Sequence, residues 1–172
     1  VATDLSSEML QKCELGIYDE LSLARGLSPQ RRQAFFQQND SGLMQVKPDV
    51  RRMVSFRSLN LLSSYAALGR FDIVFCRNVL IYFSAEVKQR ILQQIAGQLQ
   101  PQGVLFLGAS ESISAASDTY SMVKCHPGLY YQKTYSKETV ATCTIFASFF
   151  LRRQQQTIIT NAFWRFLAYN TC

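Results

Sequence analysis

Hydrophobic and polar residues alternate along residues 1–134 in a pattern that predicts short strands separated by helices. An apolar run closes at Asp4, and the serines and glutamate that follow it are typical of a helix start. Residues 71–75 and 104–107 are short, mostly apolar runs, which indicates strands buried on both faces. Residues 122–133 predict a final pair of strands around the turn Pro127-Gly128.

Two well-marked helices separate the predicted strands. Ser28-Pro29 predicts the start of one, because serine caps a helix and proline fits where no N–H is needed. This helix is expected to include Phe36 and to end in the turn-rich residues 39–42. The other is predicted to begin at Ser84, and its apolar residues recur at helical spacing: Val87, Ile91, Leu92, Ile95 and Leu99.

Residues 43–62 alternate in the manner of strands, with a break at Pro48 and a new start at residues 53–56. The order strand, helix, strand, helix, strand predicts an α/β fold, in which a parallel sheet lies between helices. Such sheets bind ligands at the carboxyl ends of their strands. We therefore expect functional residues directly after the predicted strands.

Three candidate binding residues follow the first strands. Asp4 ends the first strand, where a carboxylate commonly accepts hydrogen bonds from ribose hydroxyls, although aspartate is also common at helix starts. Asn60 and Leu61 follow the strand-rich segment, where an amide is able to read a purine edge while leucine packs on the ring. Asparagine is equally common in turns, so each residue alone is a weak signal.

Three more candidates follow the apolar strand at residues 71–75. Arg77 and Asn78 lie at its carboxyl end, where burying the charge of an arginine is costly unless it has a partner or a function. Tyr82 comes one turn later, and its phenol is predicted to reach a substrate.

Composition and charge narrow the classes of function. The chain has 172 residues, 48% of them apolar, and a net charge of +6. Residues 25–57 contain seven cations against two acids, which favours either an acidic partner surface, a nucleic acid or only a solvated face. The sequence contains neither an RNA-binding aromatic signature nor helix-turn-helix spacing, so nucleic acid is not an expected partner.

The cysteines and the single histidine exclude several kinds of site. Five cysteines are widely and irregularly spaced, without a C-x-x-C pair, so neither a zinc site nor a disulfide framework is predicted. One histidine, His126, is insufficient for a metal cluster, and a catalytic dyad with Cys125 is not expected because strand neighbours point to opposite faces. A reduced, cytoplasmic chain is the simplest interpretation. No signal peptide is expected, because residues 1–10 include Asp4 and Glu8. No stable membrane insertion is expected either, since residues 139–151 are shorter than the ~20 residues of a spanning helix.

The string FDIVFCRNVLIYF at residues 71–83, with the helix after it and VLFLGASES at residues 104–112, closely resembles the CheR-type chemotaxis methyltransferases. The resemblance extends through LNLL at 59–62 and VKPDVRRMVSF at 46–56 to ATDLS at 2–6. It implies a Rossmann-like S-adenosylmethionine-dependent methyltransferase sheet with helices on both faces. Residues 1–134 would form part of this cofactor domain, and residues 43–57 would form a small inserted β-subdomain.

The resemblance also implies a reaction and a role for each candidate. The family transfers methyl groups from S-adenosylmethionine to glutamates on the cytoplasmic helices of chemoreceptors. Asp4 would contact the ribose, Asn60 and Leu61 would flank the adenine, and Arg77 and Asn78 would complete the cofactor pocket. Tyr82 would face the transferred methyl group and the incoming glutamate. Some members also tether a receptor peptide through the β-subdomain, which is not expected here because the turn at residues 37–42 is short.

Two departures from the family leave alternatives open. The glycine-containing cofactor loop would lie upstream of Val1, so this chain is expected to be a fragment that binds cofactor weakly. Residues 135–172 show no resemblance and combine eight aromatics with five charges, which suggests helices over a sheet edge, an interfacial membrane segment or unrelated sequence. A non-catalytic receptor-docking module and a methyltransferase for small molecules remain the competing hypotheses.

Overall fold

The computed structural model describes residues 1–24, 27–126, 128–134 and 157–160, which fall into two compact units. The first unit contains the described residues of Val1–Leu61 and Ile159 with Thr160. Its elements are β1 (Ala2–Asp4), α1 (Ser7–Leu15), β2 (Ile17–Tyr18), α2 (Glu20–Leu23), α3 (Pro29–Phe35), β3 (Phe36–Gln38), β4 (Met44–Val46), α4 (Pro48–Arg51) and β5 (Phe56–Ser58).

The second unit contains the described residues of Leu62–Ile158. Its elements are a 3₁₀ turn (Ala66–Leu68), β6 (Phe71–Cys76), a 3₁₀ turn (Leu80–Tyr82), α5 (Ala85–Gln98), β7 (Leu99–Leu107), a 3₁₀ turn (Ser114–Ala116), β8 (Tyr120–Cys125) and β9 (Gly128–Lys133). The strand β10 (Thr157–Thr160) contributes its last two residues to the first unit. Both units combine helices and strands, so the predicted α/β class is confirmed.

Parallel strands and a capped helix build one edge of the first unit. The strand β1 pairs in parallel with β5 and with β10. The helix α1 begins at its cap, where the Ser6 hydroxyl accepts the N–H of Met9 at 3.3 Å. It ends at Gly16, whose φ of +63° is a left-handed conformation that glycine adopts without strain. The start predicted from the serines is therefore confirmed.

An antiparallel sheet in the order β2-β4-β3 forms the rest of the first unit. Its core is a cluster of the buried side chains Cys13, Leu23, Phe36 and Val46. The helix that begins at Ser28 ends at Phe35, so the prediction that it includes Phe36 is wrong. Phe36 is extended because it pairs with Val46 and buries its ring in this cluster. The turn predicted at residues 39–42 is confirmed, since Asn39 Oδ1 accepts the N–H groups of Ser41 and Leu43.

Residues 43–62 contain less strand than their alternation predicts. Only Met44–Val46 and Phe56–Ser58 are extended, and Pro48 begins the short helix α4 instead of merely breaking a strand. Proline is favoured at the first position of a helix because its missing N–H has no partner there. The strand predicted to restart at residue 53 starts at Phe56, where pairing with β1 begins.

The second unit is a sheet in the order β6-β7-β9-β8 with α5 as the crossover. The parallel strands β6 and β7 are joined by α5, which begins at its Ser84 cap as predicted. The helix buries Ile91, Leu92, Ile95 and Ala96, which confirms most of the predicted apolar face. The strands β8 and β9 form the predicted antiparallel hairpin, with Cys125 paired to Gly128.

The strand β7 is longer than predicted and begins at Leu99. Leu99 pairs with Phe71, and the next partners are Val104 and Ile73, so five residues of β7 span two of β6. This irregularity includes Pro101 and Gly103, where a Cβ would lie 2.9 Å from the carbonyl oxygen of Phe71. Glycine is therefore required at this position by the close approach of the backbone, and α5 passes directly into β7. The predictions for Arg25, Pro127 and most of residues 135–172 fall outside the described residues.

Candidate functional site

Asp4 lies at the carboxyl end of β1, beside the chain that leaves β5. The two strands are parallel, with Asp4 opposite Ser58, and the Leu59 N–H donates to the Asp4 carbonyl oxygen at 2.9 Å. The half-buried Asp4 carboxylate accepts the Ser6 N–H through Oδ1 at 2.7 Å. Asp4 therefore serves the entry into α1 and also presents a carboxylate at the edge where α/β sheets bind ligands.

Asn60 and Leu61 follow β5 by two and three residues, at the same edge of the first unit as Asp4. This follows from the parallel pairing, since the carboxyl ends of parallel strands meet at one edge. Asn60 is exposed and Leu61 is half-buried. The first unit thus brings together a carboxylate, an amide and an apolar side chain from three positions that the sequence predicted.

Arg77 and Asn78 leave β6 through a sharp turn in the second unit. Asn78 has a φ of +56°, the one non-glycine residue with positive φ among the described residues. Asparagine tolerates this left-handed conformation better than most residues. Arg77 is half-buried and Asn78 is exposed, so both lie at the carboxyl end of a strand that is itself largely inside the unit.

Tyr82 ends the 3₁₀ turn that follows. Leu80 at the start of this turn is 1% exposed, whereas Tyr82 is 79% exposed. Leu80 therefore anchors the turn in the core while the Tyr82 ring faces solvent. An exposed aromatic ring at the mouth of a strand is available to a partner.

Glu111 lies in the loop after β7 and holds residues 78–80, and the sequence interpretation missed it. The carboxylate is 9% exposed and accepts four backbone N–H groups: Asn78 at 2.8 Å, Val79 at 2.9 Å, and Leu80 and Gly108 at 2.7 Å each. A buried carboxylate is tolerated only where such partners replace water. The available signal was an acidic residue four positions after the apolar run at 104–107.

The buried thiol of Cys76 is expected to be unreactive. Burial, and then the nearby negative charge of Glu111, raise the pKa of Cys76 to about 12. The thiolate is the reactive form of cysteine, so this side chain packs as a small hydrophobe. Cys13 is also buried and free, while Cys125 is exposed.

Several cationic side chains of the basic segment at residues 25–57 make contacts within the first unit. Arg32 pairs with Glu20, and Arg52 with Asp49. Arg51 donates to the carbonyl oxygen of Glu14 at 2.7 Å and lies 4.7 Å from the ring centre of Phe56. Lys47 donates to the carbonyl oxygen of Gln33 at 2.7 Å. These contacts favour the interpretation of a structured surface over that of an open basic patch.

Other classes of site find no support in the described part of the chain. Its His, Cys, Asp and Glu residues form no group of three or more that is arranged to hold a metal ion. None of its helices has both the length and the apolar character needed to cross a bilayer. The six candidate residues divide between the units: Asp4, Asn60 and Leu61 lie in the first, and Arg77, Asn78 and Tyr82 in the second.

The chain is similar in sequence to one protein family and to several curated proteins. Residues 1–129 match the family model described as the CheR methyltransferase, SAM binding domain. The chain is 58% identical over 132 residues to the "Chemotaxis protein methyltransferase 1" of Pseudomonas aeruginosa, an alignment that covers 77% of this chain and 48% of the relative. It is 54% identical over 131 residues to the "Chemotaxis protein methyltransferase" of Vibrio parahaemolyticus (76% and 48%). The Escherichia coli protein of the same name is 40% identical over 117 residues (66% and 41%). The chain thus spans about half the length of these curated relatives.

Proposed function

The chain belongs to the CheR methyltransferase family, and from that membership we propose that it forms part of a protein-glutamate O-methyltransferase. Its substrates are glutamates on the cytoplasmic helices of chemoreceptors, and the methyl donor is S-adenosylmethionine. The observation that carries the proposal is the Arg77–Tyr82 segment, which starts at the carboxyl end of β6 and ends in an exposed tyrosine. Adaptation in chemotaxis, in the cytoplasm, is the corresponding cellular role.

The candidate residues fit the chemistry of the cofactor. The Asp4 carboxylate is an acceptor for ribose hydroxyls, and the Asn60 amide is both donor and acceptor for a purine edge. Leu61 supplies an apolar surface for the adenine ring. Arg77 and Asn78 add donors at the end of β6. Parallel pairing of β1 with β5 in the first unit, and of β6 with β7 in the second, supports the Rossmann-like class that we propose for residues 1–134. Within the proposed β-subdomain at residues 43–57, Met44–Val46 belongs to the small antiparallel sheet, whereas Phe56 and Arg57 belong to β5.

The reaction makes few demands on this chain's side chains. S-adenosylmethionine, when bound, would supply a methyl group from its sulfonium sulfur. The receptor carboxylate would take up this methyl group as a methyl ester and leave S-adenosylhomocysteine. Glutamate has a pKa near 4.3 in solution, so the acceptor is already ionised at neutral pH and no general base is needed. The residues therefore act by orienting the reactants and by excluding water. We assign Tyr82 to the orientation of the incoming glutamate.

The direct experiment follows methyl transfer and cofactor binding in the same chain. The 172-residue chain is incubated with methyl-labelled S-adenosylmethionine and chemoreceptor cytoplasmic fragments, and labelled ester is measured after alkaline release. A receptor whose acceptor glutamates are replaced by alanine is the control for substrate. We expect label on the intact receptor only, and weak but saturable binding of S-adenosylhomocysteine by calorimetry.

Two variants test the residue assignment. Asp4→Ala and Asn78→Ala should each weaken the binding of S-adenosylhomocysteine by about tenfold, as expected for one lost polar contact. Unchanged affinity in both variants would refute the assignment of these two residues to cofactor binding. Receptor binding without any cofactor binding would replace the proposal by a non-catalytic docking module, and transfer to free carboxylic acids but not to receptor would indicate a small-molecule methyltransferase.

A further inference from the structure

The Glu111 carboxylate lies at the centre of a network of backbone donors in the second unit. Its Oε1 accepts the N–H groups of Val79 and Leu80, and its Oε2 accepts those of Asn78 and Gly108. All four distances are between 2.7 and 2.9 Å. Hydrogen bonds to a carboxylate are stronger than those between neutral groups. One side chain thus fixes three successive residues of the segment after β6.

Those three residues determine the course of the chain up to Tyr82. Asn78 is held in the left-handed conformation, and the N–H groups of Val79 and Leu80 are fixed just before the 3₁₀ turn. The turn itself is closed by the Tyr82 N–H on the Val79 carbonyl oxygen at 3.3 Å. Releasing Glu111 would therefore free both the Arg77-Asn78 corner and the direction in which Tyr82 leaves the turn.

The fourth donor comes from a different segment of the chain. Gly108 follows β7, the parallel neighbour of β6, and a Cβ there would lie 2.6 Å from Glu111 Oε2 and 2.7 Å from Asn78 Oδ1. The Glu111 N–H in turn donates to the Gly108 carbonyl oxygen at 3.0 Å. Glu111 therefore ties together the segments that follow two adjacent parallel strands, at the edge where such sheets bind ligands.

We propose that Glu111 is a positioning residue for methyl transfer, which acts by holding Arg77, Asn78 and Tyr82 in their working arrangement. The inference rests on the proposed function. Glu111 is buried behind the backbone that it binds, so its effect on the reaction passes through that backbone. A misplacement of reacting groups by about 1 Å costs up to about 100-fold in rate, so a residue that fixes the backbone of this segment affects the reaction without touching the reactants.

The test uses two variants of Glu111 and one matched control in the full chain. Glu111→Gln keeps the size but replaces one acceptor oxygen by an NH₂ group, which meets N–H donors. Glu111→Asp keeps the charge on a shorter side chain. Asp118→Asn makes the same change of charge at an exposed position of the same unit. Each is assayed for kcat, for the receptor KM, for S-adenosylhomocysteine affinity and for amide hydrogen exchange.

We expect Glu111→Gln to lower kcat and cofactor affinity by about tenfold or more, the effect of losing at least one charged hydrogen bond. Receptor KM should stay within about twofold. Glu111→Asp should recover part of kcat, and Asp118→Asn should match the wild type. Faster exchange at the amides of Asn78, Val79, Leu80 and Gly108, with β6 still protected, would distinguish a local shift from unfolding.

Three results separate the possible failures. Normal kcat and affinity in Glu111→Gln, or unchanged exchange at the four amides, would overturn the positioning role. A loss of activity that merely follows the fraction of unfolded protein would also overturn it. If the wild-type chain neither binds S-adenosylhomocysteine nor methylates receptor, the proposed function itself fails, and hydrogen exchange alone then decides whether Glu111 holds this segment.

Discussion

Replacing Gly108 by alanine adds one methyl group where the segments after β6 and β7 meet. The new Cβ would lie 2.6 Å from Glu111 Oε2, 2.7 Å from Asn78 Oδ1 and 3.1 Å from Asn78 N. Contacts below 3.0 Å essentially never occur for real Cβ atoms, so one of the groups has to move. The exposed Asn78 side chain is able to rotate away, but the Glu111 carboxylate is held by four N–H groups.

The expected loss of stability follows from the hydrogen bonds that break when the methyl group displaces the Glu111 carboxylate. Moving the carboxylate breaks one or two hydrogen bonds to a charged group, each worth about 1.5–3 kcal/mol. We therefore expect Gly108→Ala to lower the free energy of unfolding by about 2–5 kcal/mol, among the larger effects of single substitutions.

Gly97→Ala is the matched control for this prediction. Gly97 lies within α5, and a Cβ there would meet nothing within 4 Å. Alanine in a helix is more stable than glycine by about 0.5–1 kcal/mol, so this variant should gain stability. Urea unfolding, followed by circular dichroism, measures both variants. Equal changes in the two, or a loss below about 0.5 kcal/mol at Gly108, would refute the steric argument.

Three further predictions concern separate features. Tyr82→Phe should slow methyl transfer more than it weakens cofactor binding and should leave unfolding within about 0.5 kcal/mol of the wild type, because the ring is exposed; equal kinetic and binding losses would remove Tyr82 from the substrate role. Burial raises the pKa of Cys76 to about 12, so the contribution of its neutral thiol to the free energy of unfolding should be intact below pH ~9 and decline as pH rises toward 12. Urea titrations of the wild type and of Cys76→Ala should diverge in that range. Arg51→Lys should cost about 1–2 kcal/mol in urea unfolding, since lysine cannot keep the two carbonyl contacts and the stacking on Phe56 together; an unchanged midpoint would refute this.

The sequence predicted best those elements that are specified locally. The helix α5 has its own cap at Ser84 and a continuous apolar face, and β6 is an apolar run that only Asp72 interrupts. The strands β8 and β9 flank Pro127-Gly128, a pair of residues that favours a turn. In each case neighbouring residues carry the complete signal, so no knowledge of the tertiary structure was needed.

Elements that depend on distant partners were predicted less well. The local sequence predicts that Phe36 belongs to the helix before it. Pairing with Val46 and burial beside Cys13 and Leu23 make Phe36 extended instead. The two-residue strand β2 exists only through its pairing with β4. Tertiary contacts thus override weak local preference in this small sheet, where every strand has three residues or fewer.

Glu111 shows why the candidate site was predicted only in part. The rule that ligand-binding residues follow strands selects Asp4, Arg77 and Asn78 as candidates, because it concerns side chains that would face a ligand. Glu111 instead faces backbone N–H groups of a segment more than thirty positions earlier, a relation that no local pattern encodes. A reaction without a general base depends on how accurately its reactants are held. For such chemistry the residue that fixes the backbone is as important as those that line the pocket, and buried acceptors of several backbone N–H groups are where to look for it.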